Sequence, residues 1–272
     1  MAKIEDTEFS DFKQIGIVMR YELLKYLRRR RLYAVLVVTA LVGVLQSAVP
    51  LAFNIAFPEQ ANVWASSFFS FANFLIIIVG TFFAGDAIAS EFEHKTGYIV
   101  FPNPVKRVSL VFGKFAAAFI SALLAIGFYY AIGTGALVGI YGVVPLETAA
   151  SFAYAILYLC CVLGFTFLFS ALLKGSMGAT LLSFFTFFLI LSILSSIITL
   201  IGNEPWYIPT YASGMISQVL DPQVDAVITV PGSPLVIHVF YPKFPISAII
   251  LTTYFIATFT LSIVIAKRKE MA

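Results

Sequence analysis

The ionisable residues best suited to chemistry cluster in one segment, residues 85–114, between two long apolar runs. Glu91, Phe92, Glu93, His94 and Lys95 follow one another there. An aromatic side chain flanked by charges is typical of a protein contact, because the ring fills a groove and the charges fix the register. A lipid surface is the alternative, but anionic headgroups would repel both glutamates. We therefore predict that this segment binds another protein.

Patterns of catalysis and metal binding are missing from the rest of the chain. The only histidines, His94 and His238, lie on opposite sides of the membrane in the topology derived below, so they cannot share a metal ion. The adjacent Cys160 and Cys161 favour helix packing over metal binding. No GxxxxGK[ST] sequence occurs, so ATP cannot bind through a P-loop. We expect no catalytic residue, no metal and no cofactor in this chain.

Composition places these residues in a membrane protein. Hydrophobic residues make up 60% of the 272 residues and charged residues 11%, against about 25% in soluble domains. Six apolar runs exceed the roughly 20 residues that a helix needs to cross a bilayer. Backbone groups in lipid must bond within their own segment, so the runs are predicted to be helices. The fold class is all-α integral membrane, with spans at residues 32–53, 63–84, 115–140, 148–173, 178–201 and 245–266.

The distribution of Lys and Arg sets the orientation. With the N-terminus inside, 16 of the 17 basic residues face the cytoplasm and only Lys243 lies outside. Cytoplasmic loops of membrane proteins carry an excess of Lys and Arg. We predict a multi-pass protein of the cell membrane with both termini in the cytoplasm, the C-terminal tail being residues 267–272.

The cytoplasmic segment 1–31 is predicted to contain an amphipathic helix that lies in the membrane interface. Its apolar residues recur at helical spacing and basic residues lie mostly off that stripe. An alternative is that Arg28–Arg31 serves only as a topological stop. The stripe comprises Phe12, Ile15, Met19, Leu23, Tyr26 and Leu27.

Two long linkers interrupt the transmembrane domain, residues 32–266. The inner linker, 85–114, is predicted to form a helical hairpin, with one helix at 86–95 and a second capped by Asn103 that continues into the third span. Arg107 at its base is expected to pair with Glu91 or Glu93. The outer loop, 202–244, contains two extended segments, 226–230 and 235–241, and is predicted to form an ordered cap rather than a flexible tether.

The inner linker resembles that of the permeases of type-2 ATP-binding cassette (ABC) transporters. The resemblance is carried by Glu91 and Glu93, Thr96-Gly97, the run Pro104–Arg107, and Gly113-Lys114. The order Thr-Gly is the reverse of the usual one, and Lys106 stands where Ser is common. The six spans, the N-terminal helix and the large outer loop extend the resemblance over the whole chain.

This resemblance implies a transport subunit that is not itself an enzyme. Such permeases dimerise, with an identical copy or a paralogue, and each binds a separate cytoplasmic ATPase that holds the ATP and Mg. Most export their substrates. The resemblance does not indicate which substrate this chain transports. The inner linker would couple to the ATPase through Glu91, Phe92, Glu93, His94, Lys95, Thr96, Gly97 and Arg107. The alternative is a stand-alone secondary transporter or channel, which normally needs ionisable groups inside its spans, and none lies there.

Overall fold

The computed structural model describes residues 11–28, 30–93, 107–229 and 236–268. Most of the described chain is helical. In chain order the helices are α1 (Asp11–Arg28), α2 (Arg31–Ala52), α3 (Ala61–Ser70), α4 (Ala72–Ala84), α5 (Ala89–Glu93), α6 (Arg107–Tyr141), α7 (Glu147–Leu172), α8 (Ser176–Phe185), α9 (Ser192–Leu200), α10 (Pro209–Ala212), α11 (Met215–Gln218) and α12 (Ile246–Arg268). A π-helical turn, Thr186–Leu191, joins α8 to α9. The strands are β1 (Ala226–Thr229) and β2 (Val236–Val239).

The six predicted spans are confirmed. Six stretches of the described residues are long and apolar enough to cross a membrane, and they correspond to α2, α3–α5, α6, α7, α8–α9 and α12. The second span is interrupted at Phe71, between α3 and α4. The third is described from Arg107, so its helix includes two charged residues, Arg107 and Lys114, that precede the apolar run.

The centre of the bundle is formed by α4, α6 and α7. Gly80 of α4 faces Val162 of α7, and a Cβ atom on this glycine would lie only 2.8 Å from the valine Cγ1. In a membrane the hydrophobic effect does not favour helix association, because lipid is itself apolar. Close approach at a glycine instead stabilises the contact between the helices through van der Waals packing. In the peripheral helices α2, α8–α9 and α12, by contrast, only 17%, 11% and 22% of the apolar window is buried, and side chains such as Val37 and Ile193 are exposed, as in lipid-facing helices.

The outer loop is ordered where it is described. Ile208, which precedes the short helix α10, and Met215 and Ile216 of α11 are buried. Ser151 of α7 donates a hydrogen bond to the Ile216 carbonyl at 2.6 Å. The two extended segments predicted from sequence are confirmed, since β1 and β2 pair antiparallel with Ala226 opposite Val239. The further prediction that the loop covers a transport path stays a prediction.

Candidate functional site

The residues predicted to couple to an ATPase lie partly on α5, at the end of the bundle that is predicted to face the cytoplasm. Glu91, Phe92 and Glu93 belong to this short helix, and for Phe92 only its place in the helix is described. The predicted residues His94, Lys95, Thr96 and Gly97 lie outside the described residues. The contacts of the two glutamates therefore define the site.

Glu91 takes part in a buried ion cluster that joins three parts of the chain. We use the name Lys114 cluster for Lys114, Glu22 and Glu91. Lys114 of α6 is 2% exposed, and its Nζ lies 2.5 Å from Glu91 Oε1 and 3.3 Å from Glu22 Oε1 of α1. It also donates to the Ala87 carbonyl at 2.6 Å. An ammonium has three donors, and three acceptors surround this one, which offsets the large cost of burying its charge.

Gly113 explains how α1 comes close enough to α6 to complete that cluster. A Cβ atom here would lie 2.7 Å from Val18 Cβ and 2.9 Å from the Ile15 carbonyl oxygen, distances that side-chain carbons do not adopt. A larger residue would hold α1 away from α6 and withdraw Glu22 from Lys114. The Gly-Lys pair noted in the sequence thus has two physical roles, close helix packing and charge pairing.

The predicted apolar stripe of α1 mostly faces the protein. Met19 and Leu23 pack on the core, and Tyr26 is 1% exposed with its hydroxyl donating to the Phe83 carbonyl at 2.9 Å. Burial, together with the nearby carboxylates of Glu22 and Asp86, raises the pKa of this hydroxyl well above its usual range. It therefore stays protonated and remains a donor.

The opposite side of α1 is open to the surroundings. It carries Ile17 and Tyr21, which are exposed. Within the predicted stripe itself, Phe12 and Leu27, near the two ends of the helix, are also exposed, and Ile15 is half-buried. That side, rather than the whole predicted stripe, is available for the membrane interface, and the interfacial position of α1 stays a prediction.

Glu93 accepts hydrogen bonds from the first residue of α8. Its Oε2 accepts a hydrogen bond from the Ser176 backbone N–H at 2.8 Å and a second from the Ser176 hydroxyl. Ser176 is the first residue of α8. A carboxylate is stabilised at a helix N-terminus, where unpaired N–H groups and the helix dipole favour negative charge. At the other end of α5, the N–H groups of Ile88 and Ala89 donate to Ser170 Oγ of α7 at 3.0 and 2.9 Å.

Two further contacts fix the surroundings of α5. Arg31 Nη1, at the start of α2, lies 2.5 Å from Asp86 Oδ2, in the turn that leads into α5. Arg107 Nη1 donates to the Lys267 carbonyl at 2.9 Å and so joins α6 to the end of α12. The sequence predicts that Arg107 pairs with Glu91 or Glu93, and this pairing stays a prediction. The buried ion pair of Glu91 is made with Lys114.

The Lys114 cluster was not predicted from the sequence, because no role was assigned to Glu22. A signal was present in the sequence: Glu22 lies three residues after Met19 and four before Tyr26, on the apolar stripe itself. An acid on an otherwise apolar helix face indicates a buried cationic partner. Within the described residues, no group of three or more His, Cys, Asp or Glu side chains could hold a metal ion.

Comparison with known proteins gives one result. The sequence model of a protein family described as "ABC-2 family transporter protein" matches residues 17–271, from within α1 to beyond the end of α12. No curated protein matches the chain.

Proposed function

We propose that this chain, which belongs to the ABC-2 family of transporter proteins, is a permease subunit that exports its substrate using a separate cytoplasmic ATPase. The family match spans nearly the whole chain, and six apolar helices supply the membrane domain. ATP and Mg would be bound by the ATPase partner. A second copy or a paralogue would complete the transporter.

The observation that carries the proposed coupling role is the attachment of α5 at both of its ends. Glu91 connects it to α1 and α6 through Lys114, Ser170 connects its first turn to α7, and Glu93 connects its last residue to α8. Because these contacts hold α5 at both ends, α5 is rigidly connected to α1, α6, α7 and α8. A displacement imposed at the inner linker is therefore passed to four helices together.

The test separates the partner contact from the internal contact. Phe92→Ala is expected to lower co-purification of the ATPase and substrate-stimulated ATP hydrolysis while leaving the chain in the membrane. Phe112→Ala, an exposed phenylalanine of α6, is the matched control and should leave both unchanged. Glu93→Ala should have the smaller effect, because exposed charge pairs are worth about 0–1 kcal/mol.

Ser176→Ala shows which part of any Glu93 effect is internal, since it removes the hydroxyl that bonds the same carboxylate. The coupling role would be refuted if Phe92→Ala combined with Glu93→Ala retained normal ATPase binding and normal stimulated hydrolysis. Loss of ATPase binding in Phe112→Ala as well would show that the effect is not specific to the linker.

The proposed orientation rests on the placement of basic residues. Cysteines placed at Lys174 and Asp221 should react differently with a membrane-impermeant thiol reagent in intact cells. Asp221→Cys, in the outer loop, is expected to react, and Lys174→Cys, between α7 and α8, is expected to react only after the membrane is permeabilised. The opposite pattern would reverse the topology.

A further inference from the structure

A groove runs between α6 and α7 where they approach the turn that joins them, residues 142–146. Its volume is about 460 Å³, within the roughly 300–1,000 Å³ of small-molecule sites. Gly127 and Ala131 line it on α6, Ala149 and Phe152 line it on α7, and Leu146 lies at its rim. The lining is almost entirely apolar.

The groove exists because small residues of α6 face a rigid wall of α7. A Cβ atom on Gly127 would meet nothing within 4 Å, and Ala131 is exposed. Behind them, the ring of Tyr130 packs edge-on against Phe152 at 5.0 Å, and its hydroxyl lies 2.9 Å from Ser151 Oγ. These contacts fix the wall, so the groove is preformed.

One polar group in this apolar groove lacks a partner. Thr148, in the first turn of α7, lines the groove and is 6% exposed. Its Oγ1 makes no hydrogen bond with any described residue. Leaving a buried hydroxyl without a partner costs about 1–3 kcal/mol. A ligand that offers an oxygen acceptor at this position would remove that cost.

The depth of the groove indicates the chemistry of its occupant. Because α6 and α7 both span the membrane, residues 142–146 lie at a headgroup layer, the outer one in the predicted orientation. Thr148 is next to that layer, whereas Gly127 lies about four helical turns from the end of α6, within the hydrocarbon. The order of groups, polar at the rim and apolar below, matches a membrane lipid.

A helix of a second copy fits these observations less well. It would fill the apolar part of the groove, but each of its backbone carbonyls already accepts one hydrogen bond within the helix. The Thr148 hydroxyl could then only share a carbonyl that is already bonded. A lipid ester carbonyl has no such internal partner.

We propose that this groove binds one diacyl lipid, with an acyl chain along Gly127 and Ala131 and an ester carbonyl that accepts a hydrogen bond from Thr148. The Glu147 carboxylate, beside Thr148, favours a zwitterionic headgroup over an anionic one, because like charges repel. The site is separate from the Lys114 cluster, which lies at the other end of α6.

The probe is a phosphatidylethanolamine with a photoreactive diazirine in its acyl chain, added to the full chain in detergent. We expect saturable labelling of α6 and α7 peptides, one lipid per chain, that excess unlabelled phosphatidylethanolamine prevents. Ala131→Phe, which fills the groove, should reduce labelling at least ten-fold. Its matched control is Ala257→Phe, at an exposed alanine of α12, which should label like the wild type.

A second variant tests the hydrogen bond without changing shape. Thr148→Val should weaken lipid binding about five-fold, which corresponds to ~1 kcal/mol. Thr253→Val, at an exposed threonine of α12, should not change it. Monodisperse elution of every variant establishes that each is folded.

Three results would overturn the proposal: labelling that does not saturate, labelling of Ala131→Phe equal to that of the wild type, or no difference between Thr148→Val and Thr253→Val. A benzoylphenylalanine at Leu146, which is 86% exposed, distinguishes the occupants in cell membranes. A photoproduct with the mass of two chains would assign the groove to a second copy instead.

Discussion

Replacing Lys114 by methionine is expected to destabilise the protein more than replacing an exposed charged residue does. The substitution keeps an unbranched side chain, one atom shorter, but removes the cation that Glu22 and Glu91 share. Those carboxylates are only 13% and 12% exposed, so water cannot replace the lost partner fully. The Ala87 carbonyl also loses its donor.

The size of the effect follows from this burial. Breaking a buried ion pair by removing one partner costs ~3–5 kcal/mol in the free energy of unfolding. Lys25 provides the matched control, since it pairs with the same Glu22 at 3.1 Å but is 27% exposed. Lys25→Met should therefore cost only about 0–1 kcal/mol.

A double-mutant cycle isolates the interaction between Lys114 and Glu91. Glu91→Gln keeps an oxygen acceptor but removes the charge, so the loss should be smaller than for Lys114→Met. In the double variant the two losses should not add, and the coupling free energy should be ~1–3 kcal/mol. Unfolding of the purified chain by sodium dodecyl sulfate, followed by circular dichroism, measures all four proteins. Additivity of the two losses, or a cost for Lys114→Met no larger than for Lys25→Met, would refute the buried cluster.

Two further predictions concern packing and pH. Gly113→Ala should destabilise by ~1–3 kcal/mol, because the added methyl collides with Val18; Gly139→Ala, which meets nothing within 4 Å, should be neutral or stabilise by up to about 1 kcal/mol in the same unfolding assay. In the outer loop, Lys243 Nζ lies 2.6 Å from Asp225 Oδ2, and hydrogen bonds from Lys243 and a backbone N–H lower the pKa of Asp225. A carboxyl pKa that is lowered in the folded protein adds stability above the pKa of the unfolded chain, about 3.9, and this stability is lost as pH falls through the folded pKa. Protease cleavage of the loop should therefore accelerate below pH ~4. Asp225→Asn should remove that pH dependence.

The membrane helices were predictable because each is specified by its own composition. A run of about 20 apolar residues has no stable alternative to a helix across lipid, whatever its neighbours are. The same holds for β1 and β2, whose β-branched residues lie between proline-containing turns. Both inferences use only residues that are close in sequence.

Features that depend on contacts with residues distant in sequence were not predictable in this way. The break at Phe71 and the π-helical turn Thr186–Leu191 carry no glycine or proline within them, and the sequence pattern there is that of an ordinary apolar helix. The hydroxyl of Ser192, the residue after the π-helical turn, donates to the carbonyl of Phe187, five residues earlier. Such departures are selected by packing against other helices rather than by local preference.

The roles of the charged residues in the candidate site were likewise not predictable from residues close in sequence. Glu91 and Glu93 are alike in type and two residues apart, so sequence reasoning gave both the same role, a contact with a partner. The fold separates them, because residues two apart on a helix point in different directions. Glu91 turns inward to Lys114 and Glu93 turns to the start of α8.

This division of roles bears on how an ATPase would engage the linker. For Glu91 to pair with a partner, it would have to leave Lys114, and the cost of ~3–5 kcal/mol for a broken buried pair exceeds the gain from an exposed one. Glu91 therefore stabilises the base of the linker rather than the partner contact. In the proposed coupling, a partner that bound Phe92 and displaced α5 would move Glu91 with it. Since Lys114 holds that carboxylate together with Glu22, the displacement would reach α1 and α6 without breaking a charge pair. Separating the charges of a buried pair costs free energy, whereas moving the pair together keeps the interaction intact. This property suits a connection that must transmit force.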